Sequence, residues 1–159
     1  LGGDPDHPRV VRESVLALRR RKSMVYDTQD ANHRSAGSFF LNPVLSRLAF
    51  DMLCCRLREQ GLDPADLPHW PAGDSVKVPA AWLMERAGLH KGFVLGEAGL
   101  STQHCLALIN RGQASSQDLL ALAAFARREV DQRFGVALTP EPVFLGFSTG
   151  VDELLAAVG

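Results

Sequence analysis

The sequence predicts an α+β domain, because segments with helical spacing and segments that read as strands alternate in no regular order. Apolar residues make up 46% of the 159 positions, enough for a packed core. No internal repeat or low-complexity tract interrupts the chain.

The elements follow in order. From Pro8 to Arg21, Val11, Val15 and Leu18 recur at helical spacing, with Pro8 suited to a first turn and the run "RRRK" (Arg19 to Lys22) suited to the negative end of the helix dipole. "VYDTQDANHRSAG" is polar and predicts a loop leading into a strand around Ser38. Phe39 and Phe40 read as that strand entering the core, and Asn42-Pro43 as the start of a second helix reaching about Gln60. Its inward face would be Leu45, Leu48, Met52 and Cys55, and Gly61 would stop it. "LDPADLPHWPAGDS" reads as a loop because of its prolines, and "VKVPAAWLMERAGL" as a short strand running into a short helix that Gly88 ends. "KGFVLGEAGLS" and "HCLALIN" look like strands joined by a glycine-containing turn. Ser115 with Asp118 forms a capping-box signal for a helix to about Phe134, with Leu119, Leu122, Ala126, Val130 and Phe134 on one face and Gly135 ending it. "VALTPEPVFLGF" reads as a last strand before a short tail.

Charge excludes several functions. The net charge is −1 and the pI near 6.6, which argues against nucleic acid as a partner. No apolar run is long enough to predict a membrane span. The opening "LGGDPDHP" lacks the apolar stretch of a secretory leader and does not look like a natural start. The three cysteines (Cys54, Cys55, Cys105) form neither a disulfide framework nor a CxxC pair, and read as buried free thiols in a reducing cytoplasm. The five histidines show no paired helical spacing, so no metal is expected.

Few residues offer chemistry on spacing alone. "GEAG" (Gly96 to Gly99) is neither a dinucleotide fingerprint nor a phosphate-binding loop, and no serine sits in a GxSxG elbow. In "SAGSFFLNP" (Ser35 to Pro43), Gly37 lets the backbone turn or approach a ligand closely. The hydroxyl of Ser38, held between that glycine and a strand, is either a turn residue or a reactive group. Glu141, between two prolines, has the character of an exposed edge residue.

"SAGSFFLNP", "SVKVPAAWLMERAGLHKGF", "STQHCLALINRG" and "FGVALTPEPVFLG" resemble, in the same order, the C-terminal half of the UDP-N-acetylenolpyruvoylglucosamine reductase (MurB) family of flavoproteins. The likeness runs from the first helix to about Gly146, and "AGSFF" followed by "NP" is its most specific part. The resemblance implies a substrate-binding domain over residues 23–137. It assigns residues 1–22, as a last helix, and residues 138–159, as a returning strand and tail, to a flavin-binding region that this chain does not contain. It also implies a cytoplasmic enzyme of peptidoglycan synthesis using FAD, with NADPH as reductant, to convert UDP-N-acetylglucosamine enolpyruvate to UDP-N-acetylmuramate. By position, Ser38 matches the family's proton donor, Glu141 its carboxylate-side glutamate, and Gly37 the point of close approach. Lys22, Asn42, Lys91 and His104 match substrate-facing positions. His90 looks like an insertion beside Lys91, and Leu41 stands where many relatives have a lysine or a polar residue. The alternative is a UDP-sugar-binding module that is inactive without its flavin domain.

Overall fold

A computed structural model describes residues 7–157. The first helix, α1 (Pro8–Arg20), carries Pro8 in its first turn and Arg19 and Arg20 in its last, where cations complement the exposed carbonyls. None of its residues is buried: Val11, Val15 and Leu18 are 45%, 46% and 47% exposed. Residues 1–6 of the opening "LGGDPDHP", which is not expected to be a secretory leader, lie outside the described residues.

A loop leads to β1 (Ser35–Ser38), the edge of a four-stranded antiparallel sheet in the order β1-β7-β6-β5. Its other strands are β5 (Val94–Leu95), β6 (Ala98–Leu100) and β7 (Ala107–Asn110). "KGFVLGEAGLS" is therefore a hairpin in itself, not a single strand. Gly96 (φ +60°) takes the first position of its two-residue turn, where left-handed backbone is needed.

The expected helix at Asn42-Pro43 is replaced by a strand, β2 (Val44–Ser46). It pairs with β4 (Ser75–Lys77), which pairs in turn with β3 (Trp70–Ala72), forming a second small antiparallel sheet. The proline-rich segment thus holds a 3-10 turn (Pro64–Asp66) and a strand rather than loop alone. Helix α2 (Arg47–Glu59) starts four residues later than expected, capped by Ser46, whose Oγ accepts the Ala49 N–H at 3.2 Å. It also turns a different face inward: Leu53 and Leu57 are buried, while Leu48 and Met52 are 71% and 55% exposed and Cys55 is exposed. Of the three thiols, only Cys105 is buried.

Helix α3 (Ala80–Arg86) and the long α4 (Ser116–Phe134) complete the core. α4 matches its expected boundaries: Ser115 and Asp118 form the full capping box, and Gly135 closes the helix in left-handed backbone (φ 65°). Leu122, Ala126, Val130 and Phe134 are buried where α4 meets the four-stranded sheet, α2 and α3. Phe125 stacks on Phe93 at 5.6 Å between centroids. The expected last strand does not form; the chain after Leu138 is extended, with an isolated bridge between Phe40 and Pro140. A further short helix, α5 (Val151–Ala157), then packs Leu155 onto α4, with Arg127 and Asp152 paired at 2.9 Å.

Candidate active site

β1 is irregular where it matters most. Ser35 pairs with Ile109 and Ser38 with Ala107, so three steps along β1 oppose two along β7. This is a β-bulge, and Gly37 (φ +85°) takes its left-handed position, with open space where a Cβ would stand. The Gly37 N–H donates to the Ser35 Oγ at 3.0 Å. In a regular strand, residues three apart face opposite sides. The extra residue brings Ser35 and Ser38 to the same cleft.

After Ser38 the chain dives into the core. Phe39 and Phe40 are buried and meet edge to face at 5.2 Å, and Phe144 packs edge-on against Phe39 at 6.1 Å. Three main-chain bonds hold this turn: Phe39 N–H to Leu106 O (2.8 Å), Leu41 N–H to Thr139 O (2.9 Å) and Glu141 N–H to Phe39 O (2.9 Å). The last places Glu141 next to the β1 terminus. Ser38, half-buried, and Glu141, exposed, line one cleft of about 560 Å³ with Gly37, Ala107 and Pro142. Its other wall is the end of α1 and the loop after it, including Arg19, Met24, Tyr26 and His33.

Three of the expected substrate residues gather elsewhere. His104, half-buried in the turn before β7 rather than in a strand, has its pKa pushed below the ordinary value by burial and then by the nearby ammonium groups of Lys22 and Lys91, against an opposing pull from Glu85. Its Nδ1 accepts the Leu106 N–H at 3.1 Å, which requires an unprotonated Nδ1 and leaves the proton on Nε2. Two ammonium groups beside a neutral N–H donor suit an anion. Beneath them, burial first and then Glu85 push the Cys105 thiol up to about 12, so it stays protonated and inert.

Asn42 caps a different helix from the one expected. Its Oδ1 accepts the Ala80 N–H at 2.9 Å, capping α3 across the fold instead of the helix that follows it in sequence. Its amide NH2 makes no hydrogen bond among the described residues.

Sequence reasoning missed the cleft's second wall. Arg19 is one of four consecutive cations, which spacing could not tell apart, and its Nη2 donates to Met24 O at 3.1 Å. His33 donates from Nδ1 to Asp30 O at 2.7 Å and meets Tyr26 edge to face. Among the described residues there is no cluster of three or more His, Cys, Asp or Glu able to hold a metal ion, and no helix long and apolar enough to cross a membrane.

Residues 29–145 match the family described as UDP-N-acetylenolpyruvoylglucosamine reductase, C-terminal domain. The chain belongs to this family. The UDP-N-acetylenolpyruvoylglucosamine reductase of Thermobifida fusca (strain YX) is 50% identical over 137 residues, covering 86% of this chain and 38% of that protein. Those of Mycobacterium avium (strain 104) and Mycolicibacterium gilvum (strain PYR-GCK) are each 46% identical, covering 91% and 92% of this chain and 39% and 41% of theirs. The chain thus spans about two fifths of the length of these reductases. The family match takes in the bulge, the bridge and Glu141, whereas α1 and Lys22 precede it.

Proposed function

We propose that this chain is the C-terminal, substrate-side part of a cytoplasmic, FAD-dependent reductase of peptidoglycan synthesis that uses NADPH to convert UDP-N-acetylglucosamine enolpyruvate to UDP-N-acetylmuramate. The observation that carries the proposal is the shared cleft of Ser38 and Glu141, in a member of the reductase family. The cleft fits the reacting edge of a flat cofactor, because Gly37 presents no side chain and open space to the cleft that Ser38 also lines. A phosphate-cradling loop for the rest of the cofactor is not a feature of this sequence, so Gly37 and Ser38 supply one wall of its site. When bound, the reduced flavin supplies a hydride to the terminal methylene carbon of the enolpyruvyl group.

The residues of this chain handle the consequences. Negative charge develops on the adjacent carbon and its carboxylate, and it needs a proton and stabilisation. Ser38 Oγ donates the proton to that carbon. A serine hydroxyl is a very weak acid, but a carbon acceptor of this kind is far more basic. The bulge at Gly37 and the buried Phe39–Phe40 pair keep the hydroxyl aimed. Glu141 acts at the substrate carboxylate as a neutral hydrogen-bond donor or by ordering a cation. Lys22, Lys91 and the Nε2–H of His104 take the anionic part of the UDP-sugar, and Asn42 offers its free amide NH2. The free thiols Cys54, Cys55 and Cys105 suit a reducing compartment.

The test uses the enzyme at the full length of its relatives. Ser38→Ala should leave reduction of the flavin by NADPH nearly intact and slow its reoxidation by the enolpyruvyl substrate by orders of magnitude, read in stopped flow. Normal reoxidation in that variant would remove Ser38 from the chemistry. Glu141→Gln should cost less than Glu141→Ala, since the amide also donates; equal losses would speak against a neutral donor.

A further inference from the structure

The loop between α1 and β1 contains a polar hub that the chemistry above does not use. Asn32 is only 5% exposed although it sits in a surface loop. Its Nδ2 lies 3.0 Å from Asp30 Oδ1, 3.0 Å from Thr102 Oγ1 and 3.2 Å from Ser23 Oγ. Its Oδ1 accepts the Thr102 N–H at 3.0 Å, and its own N–H donates to Asp30 Oδ1 at 2.9 Å. A buried amide left unpaired is costly, and this one is fully paired, so its position is over-determined.

What the hub holds is unusual. Ser23 has φ +53°, the one non-glycine residue among the described residues in left-handed backbone. Such a conformation persists only when its surroundings enforce it. On one side Asn32 grips the Ser23 side chain; on the other, Met24 is bonded twice to Arg19, through Met24 N–H to Arg19 O at 2.9 Å and through the guanidinium. The residue before this strained point is Lys22. The residues after it, Met24 to Tyr26, form the cleft wall across from Ser38 and Glu141. At the hub's far end, Thr102 lies two positions before His104.

We infer that Asn32 is a positioning residue: its side chain locks the Lys22–Tyr26 turn to the Thr102–His104 turn, so that the cations meeting the substrate's anionic part are preset against the proton-donating cleft. This rests on the proposed function. It acts through Ser23 and Thr102 and touches no reacting atom.

The experiment uses the full-length enzyme, with UDP-N-acetylglucosamine enolpyruvate as substrate. Asn32→Ala should raise the KM for that substrate about 10- to 100-fold, the size expected from loss of a buried hydrogen-bonding partner. Flavin reduction by NADPH should stay at the wild-type rate. Adding Ser23→Gly should restore much of the KM, because glycine adopts left-handed backbone without being held there. A purely structural role would not produce that rescue. Should Asn32→Ala not fold, Thr102→Val cuts the hub from its exposed side and should raise KM in the same direction by less. Unchanged KM in the folded variants, or parallel losses in both half-reactions without rescue by Ser23→Gly, would overturn the inference. If the wild-type enzyme does not turn over this substrate, the proposed function fails instead. The hub is then judged by amide hydrogen exchange: at least tenfold faster exchange at residues 23–26 in Asn32→Ala, with β7 unchanged, supports it, and unchanged exchange rejects it.

Discussion

Helices α1 and α4 have opposite relations to the rest of the molecule. α4 is capped at both ends and buries Leu120, Leu122, Ala123, Ala124, Ala126, Val130 and Phe134. α1 has no side-chain cap and buries nothing, although Val11, Val15 and Leu18 make as regular an apolar stripe. Helix propensity does not separate them; tertiary burial does. The contrast separates a framework, where α4 meets the four-stranded sheet, α2 and α3, from a rim, where α1 and the segment around Glu141 border the cleft. The framework holds the backbone that aims Ser38. The rim supplies Arg19, the Lys22 turn and Glu141, and it carries apolar surface that this chain leaves uncovered.

The sharpest way to break this contrast is to cut into the framework. Leu122→Ala, at a fully buried position, should cost about 2–5 kcal/mol of stability, measured by urea unfolding of this chain. A loss below about 1 kcal/mol would mean that α4 is not the keystone. A smaller effect is expected where framework and rim meet, at His104. Its pKa in the folded protein is lower than the unfolded value of 6.5, so between those values the unfolded chain binds more protons. The stability from neutral His104 is therefore full above about pH 6.5 and is lost as pH falls through the folded value. His104→Gln should flatten the dependence of Tm on pH below 6.5 and leave it unchanged above. An identical pH profile in the variant would show that burial, with Lys22 and Lys91 beside it, does not hold this ring neutral. The smallest effect belongs to the rim: Leu18→Ser should change the stability of this chain by less than about 0.5 kcal/mol. A larger loss would mean that α1 is part of the framework after all.

Local signals were legible and long-range choices were not. The Ser115–Asp118 box, the Gly135 stop and the α4 face could be read directly because the groups involved lie within one or two helical turns of each other. α2 shows where this fails. Leu48, Met52 and Cys55 keep helical spacing as well as Leu53 and Leu57 do, and only packing against α4 and the second sheet decides which stripe turns inward. Asn42 carried a true capping signal, but for a helix beginning at Ala80. "VALTPEPVFLGF" has strand-like composition, yet a strand needs a neighbour, and here the segment finds one only at Phe40. The site divided in the same way. Ser38, Gly37 and Glu141 could be proposed through resemblance in "AGSFF" and "TPEPVF", whereas the β1 bulge, the cleft wall at Arg19 and His33, and the Asn32 hub depend on register and contact that spacing does not encode.

The bridge from Phe40 to Pro140 sets the gap between the backbones that carry Ser38 and Glu141 with peptide groups rather than with side chains. Peptide groups are common to every amino acid. Descendants of this sequence can therefore exchange most of the letters around the pair and inherit the same gap, which gives the lineage a measuring rod that ordinary drift does not wear down.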